Sequence, residues 1–228
     1  MKNTVVGMYD SMQTAQDVVR ALKDAGFSGG DISLVANDLG GVYGKTLVTH
    51  GDATTGAAAG GATAGALLGG IGGLLVGLGA LVIPGIGPVI AAGPLAAGLA
   101  AVVGVGAGAV AGGVTGGLLG ALVDLGVPNS EAEYYAEGVR RGGALVSVHS
   151  DDKQMDLAQR ILQQYKPINM QQRVDQWRSA GWKGYDPKGA AYTNEQFNQE
   201  RAQYGAQAVP AATGNPPMET GVRVYRGH

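Results

Sequence analysis

The sequence predicts an α+β fold: a ferredoxin-like βαβ-βαβ sandwich that is interrupted by a long apolar insertion. A strand-helix-strand pattern occurs before residue 53 and again after residue 123, and this repeated order is typical of a ferredoxin-like sandwich. Between them, residues 53–123 contain 22 glycines and no charged or aromatic residue. The chain therefore divides into the first half of the sandwich at 1–52, a glycine-rich segment at 53–123, the second half at 124–174 and a polar tail at 175–228.

The first half begins with an apolar run at Thr4–Tyr9, which indicates a strand. Apolar residues then recur at helical spacing, at Ala15, Val18, Val19 and Leu22. Asp10 or Ser11 can cap this helix, and Gly26 can end it. Asp31–Asn37 alternates apolar and polar residues and predicts the next strand.

The second half repeats the order. A helix capped by Asn129 or Ser130 is expected first, and a strand at Ala144–Ser150 follows it. Helically spaced apolar residues predict another helix after that strand. Pro167–Val174 is expected to close the sandwich as its fourth strand.

The tail is polar and rich in Gly, Pro, Gln and Asn. Thr193 and Gln196 have capping-box spacing, which predicts one short helix. Residues 209–221 are expected to be extended or disordered. Trp177, Trp182 and Tyr185 are expected to cover the edge of a small core rather than to bind a ligand.

Glycine recurs every four residues in two series within the glycine-rich segment. The positions are Gly61, Gly65, Gly69, Gly73 and Gly77, and then Gly104, Gly108, Gly112, Gly116 and Gly120. Each series lies along one face of a helix, and the proline-containing stretch Val82–Pro94 separates them. This small-xxx-small spacing predicts a glycine-zipper antiparallel helical hairpin with closely packed backbones.

The other face of the first predicted arm is aliphatic and must meet lipid, another subunit or the sandwich itself. Each arm is about 28 residues, or ~42 Å as a helix, against ~30 Å of hydrocarbon in a bilayer. No aromatic or basic residues mark the ends of the segment, and Asp52 and Asp124 flank it, which argues against insertion. Membrane association together with self-association is expected. A soluble homo-oligomer with hairpins buried between subunits is the alternative, and the regular spacing disfavours a flexible linker.

No pattern predicts catalysis, so we expect no enzyme activity, catalytic residue, cofactor, metal or small-molecule substrate. His50, His149 and His228 are scattered, and the chain has no cysteine. Asp151–Asp152 is expected to cap a helix rather than to work as an acid–base pair. Gly106–Ala111 has the spacing of a dinucleotide fingerprint but follows no predicted strand.

Charge limits the classes of partner. The formal net charge of −2 offers no electrostatic reason to expect nucleic acid. Arg140–Arg141 fall at the predicted end of a helix, where positive charge suits the helix dipole, and anionic lipid headgroups are the weaker alternative. A ligand-binding sensor is a third, weaker class, because a ferredoxin-like fold alone does not imply one.

Localisation is inferred from the first residues. MKNTVVGMYD reaches an acidic residue before any long apolar run and does not resemble a signal peptide. We expect the cytoplasmic face of the inner membrane, with the cytoplasm as the alternative.

Two stretches carry a resemblance to known families. VVGMYDSMQTAQDVVRALKDAGFSGGDISLVAND is similar to the N-terminal module of bacterial general stress proteins of the heat-induced, 17M-like family. GGLLVGLGALVIPGIGPVIAAGPLAAGLA and GALVDLGVPNSEAEYYAEGVRRGGALVSV resemble the low-temperature-induced proteins of cyanobacteria and their relatives. The resemblance covers roughly residues 4–165. It implies a stress-associated protein, often described as a membrane protein, and brings no catalytic residues.

Overall fold

A computed structural model describes residues 3–39, 79–83, 85–103, 117–206 and 221–226. Its strands are β1 (Asn3–Tyr9), β2 (Ile32–Asn37), β3 (Gly79–Ile83), β4 (Gly87–Ala92), β5 (Ala144–Ser150) and β6 (Val222–Arg226). Its helices are α1 (Met12–Asp24), α2 (Pro94–Val103), α3 (Leu118–Asp124), α4 (Asn129–Arg140), α5 (Asp152–Gln164), α6 (Met170–Ser179) and α7 (Asn194–Ala206). The α+β class expected from the sequence is confirmed.

The described strands form one six-stranded sheet in the order β3-β4-β2-β5-β1-β6, and every neighbouring pair is antiparallel. β5 lies between β1 and β2, with Tyr9 opposite Ala144 and Ile32 opposite Val148. The hairpin of β3 and β4 extends the sheet beyond β2, where Leu34 lies opposite Ala92. One edge of the sheet is therefore β3 and the other is β6.

The strand-helix-strand order of the first half is confirmed. α1 begins after Ser11, whose Oγ accepts a hydrogen bond from Thr14 N at 3.1 Å, and it ends just before Gly26. In the second half, β5 and α5 also form as expected. Asp151 caps α5 by accepting a hydrogen bond from Gln154 N at 3.1 Å.

Helices cover both faces of the sheet. On one side, which we call the α1 face, α1 and α5 bury aliphatic residues such as Val19 and Leu162 against strand residues such as Val146. On the other side, the α4 face, helices α2, α3, α4 and α6 pack over Met8, Leu145 and their neighbours. The core therefore consists of two apolar layers, one on each side of a single sheet.

The predicted fourth strand at Pro167–Val174 is wrong. Asn169 caps a helix there by accepting a hydrogen bond from Gln172 N at 3.1 Å, and α6 starts at the next residue. Met170, Val174 and Trp177 share the helical spacing that buries one face of α6. The place beside β1 is taken by β6 from the end of the tail. The expected cap of α4 is also wrong, since Pro128 precedes the helix and no side chain caps it.

The proline-containing centre of the glycine-rich segment contributes two strands to the sheet. Gly79–Ile83 and Gly87–Ala92 pair as the β3–β4 hairpin, because Leu81–Ile83 and Val89–Ala92 are short apolar runs on either side of a turn that contains Gly85. Leu95 and Leu99 of α2 and Leu118 and Leu122 of α3 then bury their side chains in the core of the α4 face. These parts of the segment belong to the sandwich.

The predicted glycine zipper falls mainly on residues 40–78 and 104–116, which lie outside the described residues, so Gly120 is the predicted zipper position that can be placed. It lies in α3, which packs against α4. Within the described ranges, no helix has the length and apolar character needed to cross a bilayer.

Candidate functional site

Charged side chains meet at the C-terminal end of α4. Glu137, Arg140 and Arg141 are spaced three and four residues apart, so they share one face of the last helical turn. Gly142 follows in the left-handed region, with φ at +94°, and ends the helix. This local sequence brings two guanidinium groups to a single carboxylate.

The carboxylate of Glu137 is fully buried and both arginines pair with it. Arg140 Nη1 donates to Glu137 Oε2 at 3.3 Å, and Arg141 Nε donates to Glu137 Oε1 at 2.5 Å. Arg141 also pairs through Nη1 with Glu200 of α7. We call these four residues, together with Tyr192, the α4-end cluster. Its two positive and two negative charges balance.

The cluster is covered by residues 180–206, which we call the C-terminal segment. Arg140 Nη2 donates to the carbonyl oxygen of Ala190 at 2.9 Å. The Tyr192 ring stacks under both guanidinium groups, 5.2 Å from Arg140 Cζ and 5.4 Å from Arg141 Cζ. Phe197 lies directly on Gly142, where a Cβ atom would be 1.7 Å from the phenyl ring. Cation–π contacts and ion pairs thus hold this segment against α4.

The C-terminal segment also contacts the β3–β4 turn. Gly85 lies under the Pro187 carbonyl oxygen, which would be 2.6 Å from a Cβ atom at that position. Gly87 faces the methyl group of Ala191, 3.1 Å from a Cβ atom at that position. Glycine is favoured at both places because φ is positive, at +77° and +100°, and at Gly85 the Pro187 backbone also leaves no room for a Cβ atom. The segment therefore joins the end of α4 to the hairpin that belongs to the glycine-rich region.

The aromatic residues of the tail complete this cover. Trp177 is buried, and Trp182 packs edge-on against it with 5.7 Å between ring centroids. Trp182 and Tyr185 pack against the core of the α4 face. The expectation that these residues cover the edge of a core is confirmed.

Burial sets the protonation behaviour of the cluster. It raises the pKa of Glu200 above its ordinary value, and the positive charge of Arg141 offsets only part of that rise. Burial lowers the pKa of Arg141, but the attraction of Glu137 and Glu200 outweighs it and leaves the pKa raised. Burial also raises the pKa of Tyr192 to about 12, so its hydroxyl stays protonated at neutral pH. The ion pairs of Arg141 with Glu137 and Glu200 therefore hold α7 against the end of α4.

A second polar group anchors β6. Tyr225 donates its hydroxyl hydrogen to Glu131 Oε2 at 2.6 Å, and its oxygen lies 2.9 Å from the hydroxyl of Tyr135. Burial raises the pKa of both tyrosines, which keeps their hydroxyls protonated. These bonds attach the last strand to α4, the helix that also carries the α4-end cluster.

The two arginines considered in the sequence lie at the end of α4, and one of the histidines lies on β5. Arg140 and Arg141 end α4 as expected, and their internal pairing favours a structural role over contact with lipid headgroups. His149 lies on β5, and the described residues contain no group of three or more acidic or histidine side chains that could hold a metal ion. Glu137 was not predicted as a site residue, although its i, i+3 and i, i+4 charge spacing with the two arginines could have indicated it.

Comparison with known protein families gives a match in the first part of the chain. Residues 4–82 match the family model of the heat-induced stress protein YflT domain. This match confirms the resemblance of the opening residues to bacterial general stress proteins. It spans β1, α1 and β2 and ends within β3, so the α4-end cluster lies beyond it. No curated protein and no solved structure matches the chain.

Proposed function

We propose that this chain is a non-enzymatic stress-associated protein whose glycine-rich segment mediates association with a membrane surface and with other copies. The YflT-domain match supports the stress-associated role. The observation that carries the rest is that residues 53–78 have no charged or aromatic residue, while both β2 before them and β3 after them lie in one sheet. An apolar stretch of this kind needs a cover, and lipid or a second copy can supply it.

The topology favours attachment to a bilayer surface over crossing. Because β2 and β3 belong to the same sheet, they lie on the same side of a bilayer. The chain between them must therefore cross the bilayer an even number of times, or not at all. Two crossings need about 40 apolar residues, whereas residues 53–78 number about 26. Residues 104–116 would reach about 20 Å even as a helix, which is less than ~30 Å of hydrocarbon.

We interpret the scaffold as ferredoxin-like, with the β3–β4 hairpin added at one edge. The order β2-β5-β1-β6, with β5 antiparallel to both of its neighbours, supports this interpretation. The proposed location is the cytoplasmic face of the inner membrane. A soluble homo-oligomer in the cytoplasm is the second candidate, because α2 and α3 already place the apolar flanks of the segment in the protein's own core.

Flotation tests the membrane proposal. Full-length protein is mixed with vesicles of phosphatidylethanolamine and phosphatidylglycerol and centrifuged through a density gradient, beside Leu74→Glu and the matched control Gln13→Glu, which adds the same charge at an exposed position of α1. The wild type and the control are expected to float, and Leu74→Glu to stay at the bottom. Wild-type protein that remains at the bottom would overturn membrane association.

Light scattering in detergent-free buffer separates the second candidate. A wild-type oligomer that does not float, and that Leu74→Glu dissociates, would establish the soluble assembly. A wild-type monomer that does not float would contradict both candidates.

A further inference from the structure

We infer that the outer edge of β3 is a surface that pairs with β3 of a second copy of this chain. β3 lies within the glycine-rich segment but outside residues 53–78, on which the proposed function rests. It follows from how differently the two edges of the sheet are built. β6 exposes Arg223 and Arg226 along its edge, whereas β3 has the sequence GALVI and carries no charge.

Edge strands of soluble proteins commonly carry charged residues, which prevent pairing with another sheet. The two arginines of β6 protect that edge, because a second copy would bring like charges together. β3 has no such protection within Gly79–Ile83. Among the described strands it pairs with one neighbour, β4.

The exposed residues of β3 are apolar. Val82 keeps 66% of its surface accessible and is the large hydrophobic residue that the described part of the chain leaves exposed. Ala80 is also exposed, on the same face of the strand. Within the sheet, Val82 lies opposite Pro88 of β4 and Ala80 lies opposite Ile90. Leu81 points to the other side, where it packs against the core of the α4 face. The strand thus presents one small and one β-branched residue on the same face.

A second copy fits this strand by symmetry. When two β3 strands pair antiparallel about Leu81, all five residues of each strand find a partner. Ala80 then lies opposite Val82 of the other copy, so each exposed valine is covered by an alanine. Both β3 strands are uncharged, so the pairing brings no like charges together. The strand is also held in position, because β4 is paired to β2 and the C-terminal segment contacts the β3–β4 turn.

Engineered cysteines test the register, and the chain has none of its own. Full-length Ala80→Cys and Val82→Cys proteins are mixed and oxidised, and the disulfide-linked products are separated. In an equimolar mixture, random pairing gives twice as much mixed disulfide as either homodisulfide. The mixed 80–82 disulfide is expected to exceed this twofold ratio clearly, because only that pair lies directly opposite in the proposed register. Gln13→Cys, on an exposed position of α1, serves as the control and should cross-link no faster than random collision. A mixed product at or below twice the amount of each homodisulfide would overturn the proposed pairing.

Light scattering in detergent-free buffer tests the surface itself. Val82→Lys should raise the dimer dissociation constant about tenfold or more, because two ammonium groups would enter the pair, whereas Val82→Thr should change it less than about threefold. Circular dichroism and urea unfolding confirm that each variant folds. A monomeric wild type, or a dimer that Leu74→Glu abolishes and Val82→Lys leaves intact, would overturn the inference. If Val82→Lys dissociates the dimer and vesicle binding persists, the β3 contact stands independently of membrane association.

Discussion

The two faces of the sheet are built in different ways. The α1 face is covered by α1 and α5, which lie next to the strands β1, β2 and β5 in sequence and pack through aliphatic side chains. The α4 face combines the flanks of the glycine-rich segment, α4, α6 and the C-terminal segment, and a balanced ion-pair cluster lies at its margin. The difference shows that one face forms from local repeats and the other from pieces of chain that are far apart in sequence.

The largest expected effect compares one buried leucine on each face. Leu22 of α1 and Leu99 of α2 are both fully buried. Replacing either by alanine should lower the free energy of unfolding by about 2–5 kcal/mol, because each change removes packed methyl groups and leaves a cavity. Urea denaturation measures both. An unchanged stability in Leu99→Ala would show that the α4 face is not closed by the glycine-rich segment.

The next effect belongs to the ion-pair cluster. Glu137→Gln should cost about 2–4 kcal/mol, because it leaves two guanidinium groups short of a buried carboxylate. The cost is reduced from that of a fully buried pair because the side chains of Arg140 and Arg141 keep 16% and 13% of their surface exposed. Glu133→Gln on the same helix is the matched control and should stay within about 0.5 kcal/mol. Equal stability of both variants would contradict the structural role of the cluster.

A smaller effect is expected at β6. Tyr225→Phe removes the hydroxyl that bonds Glu131 and contacts Tyr135, and it should cost about 1–2 kcal/mol. Tyr134→Phe removes a hydroxyl that accepts a bond from Arg178 at an exposed position, and it should cost less than about 0.5 kcal/mol. Thermal unfolding compares the two. If Tyr225→Phe proves as mild as Tyr134→Phe, β6 is not held by this bond.

The smallest effect is a change in pH dependence. The pKa of Glu200 is raised in the folded protein, so its protonation contributes stability that is fully present below the unfolded pKa and is lost as pH rises through the folded pKa. Glu200→Gln removes this titration. Relative to the variant, the wild type should therefore become less stable as pH rises from the acid range toward neutral. Parallel urea titrations at several pH values measure the difference, and a wild type that gains relative stability with rising pH would reverse the assignment.

Local pattern was sufficient to predict the α1 face. The helical spacing of Val18, Val19 and Leu22 and the Ser11 cap placed α1 between two strands. The cap at Asp151 was also predicted, and it forms. The capping box predicted at Thr193 and Gln196 forms too: Thr193 N donates to Gln196 Oε1 at 2.9 Å, and Gln196 N donates to Thr193 Oγ1 at 3.3 Å. Each of these features depends on residues within one turn of one another.

The α4 face was not predictable in the same way. Pro88 and the glycines around it disfavour a helix, and they do not show that β4 pairs with a strand more than fifty residues earlier. The predicted boundary between the sandwich and the tail, at residue 175, falls inside α6. Val174 and Trp177 lie on either side of that boundary and are buried on the same face of the helix. β6 alternates as VRVYR, which is a strand signal, but no local pattern shows that it pairs with β1, a strand more than two hundred residues earlier.

Hydrogen exchange of the β4 amides distinguishes a glycine-rich segment built into the sandwich from one that only adjoins it. The full-length protein is exchanged in detergent-free buffer, and protection at residues 89–92 is compared with that of β2, its partner in the sheet. Protection of β4 equal to that of β2, within about tenfold in rate, is the expected result. Exchange of residues 89–92 at the rate of an unfolded chain, while β2 stays protected, would contradict the account.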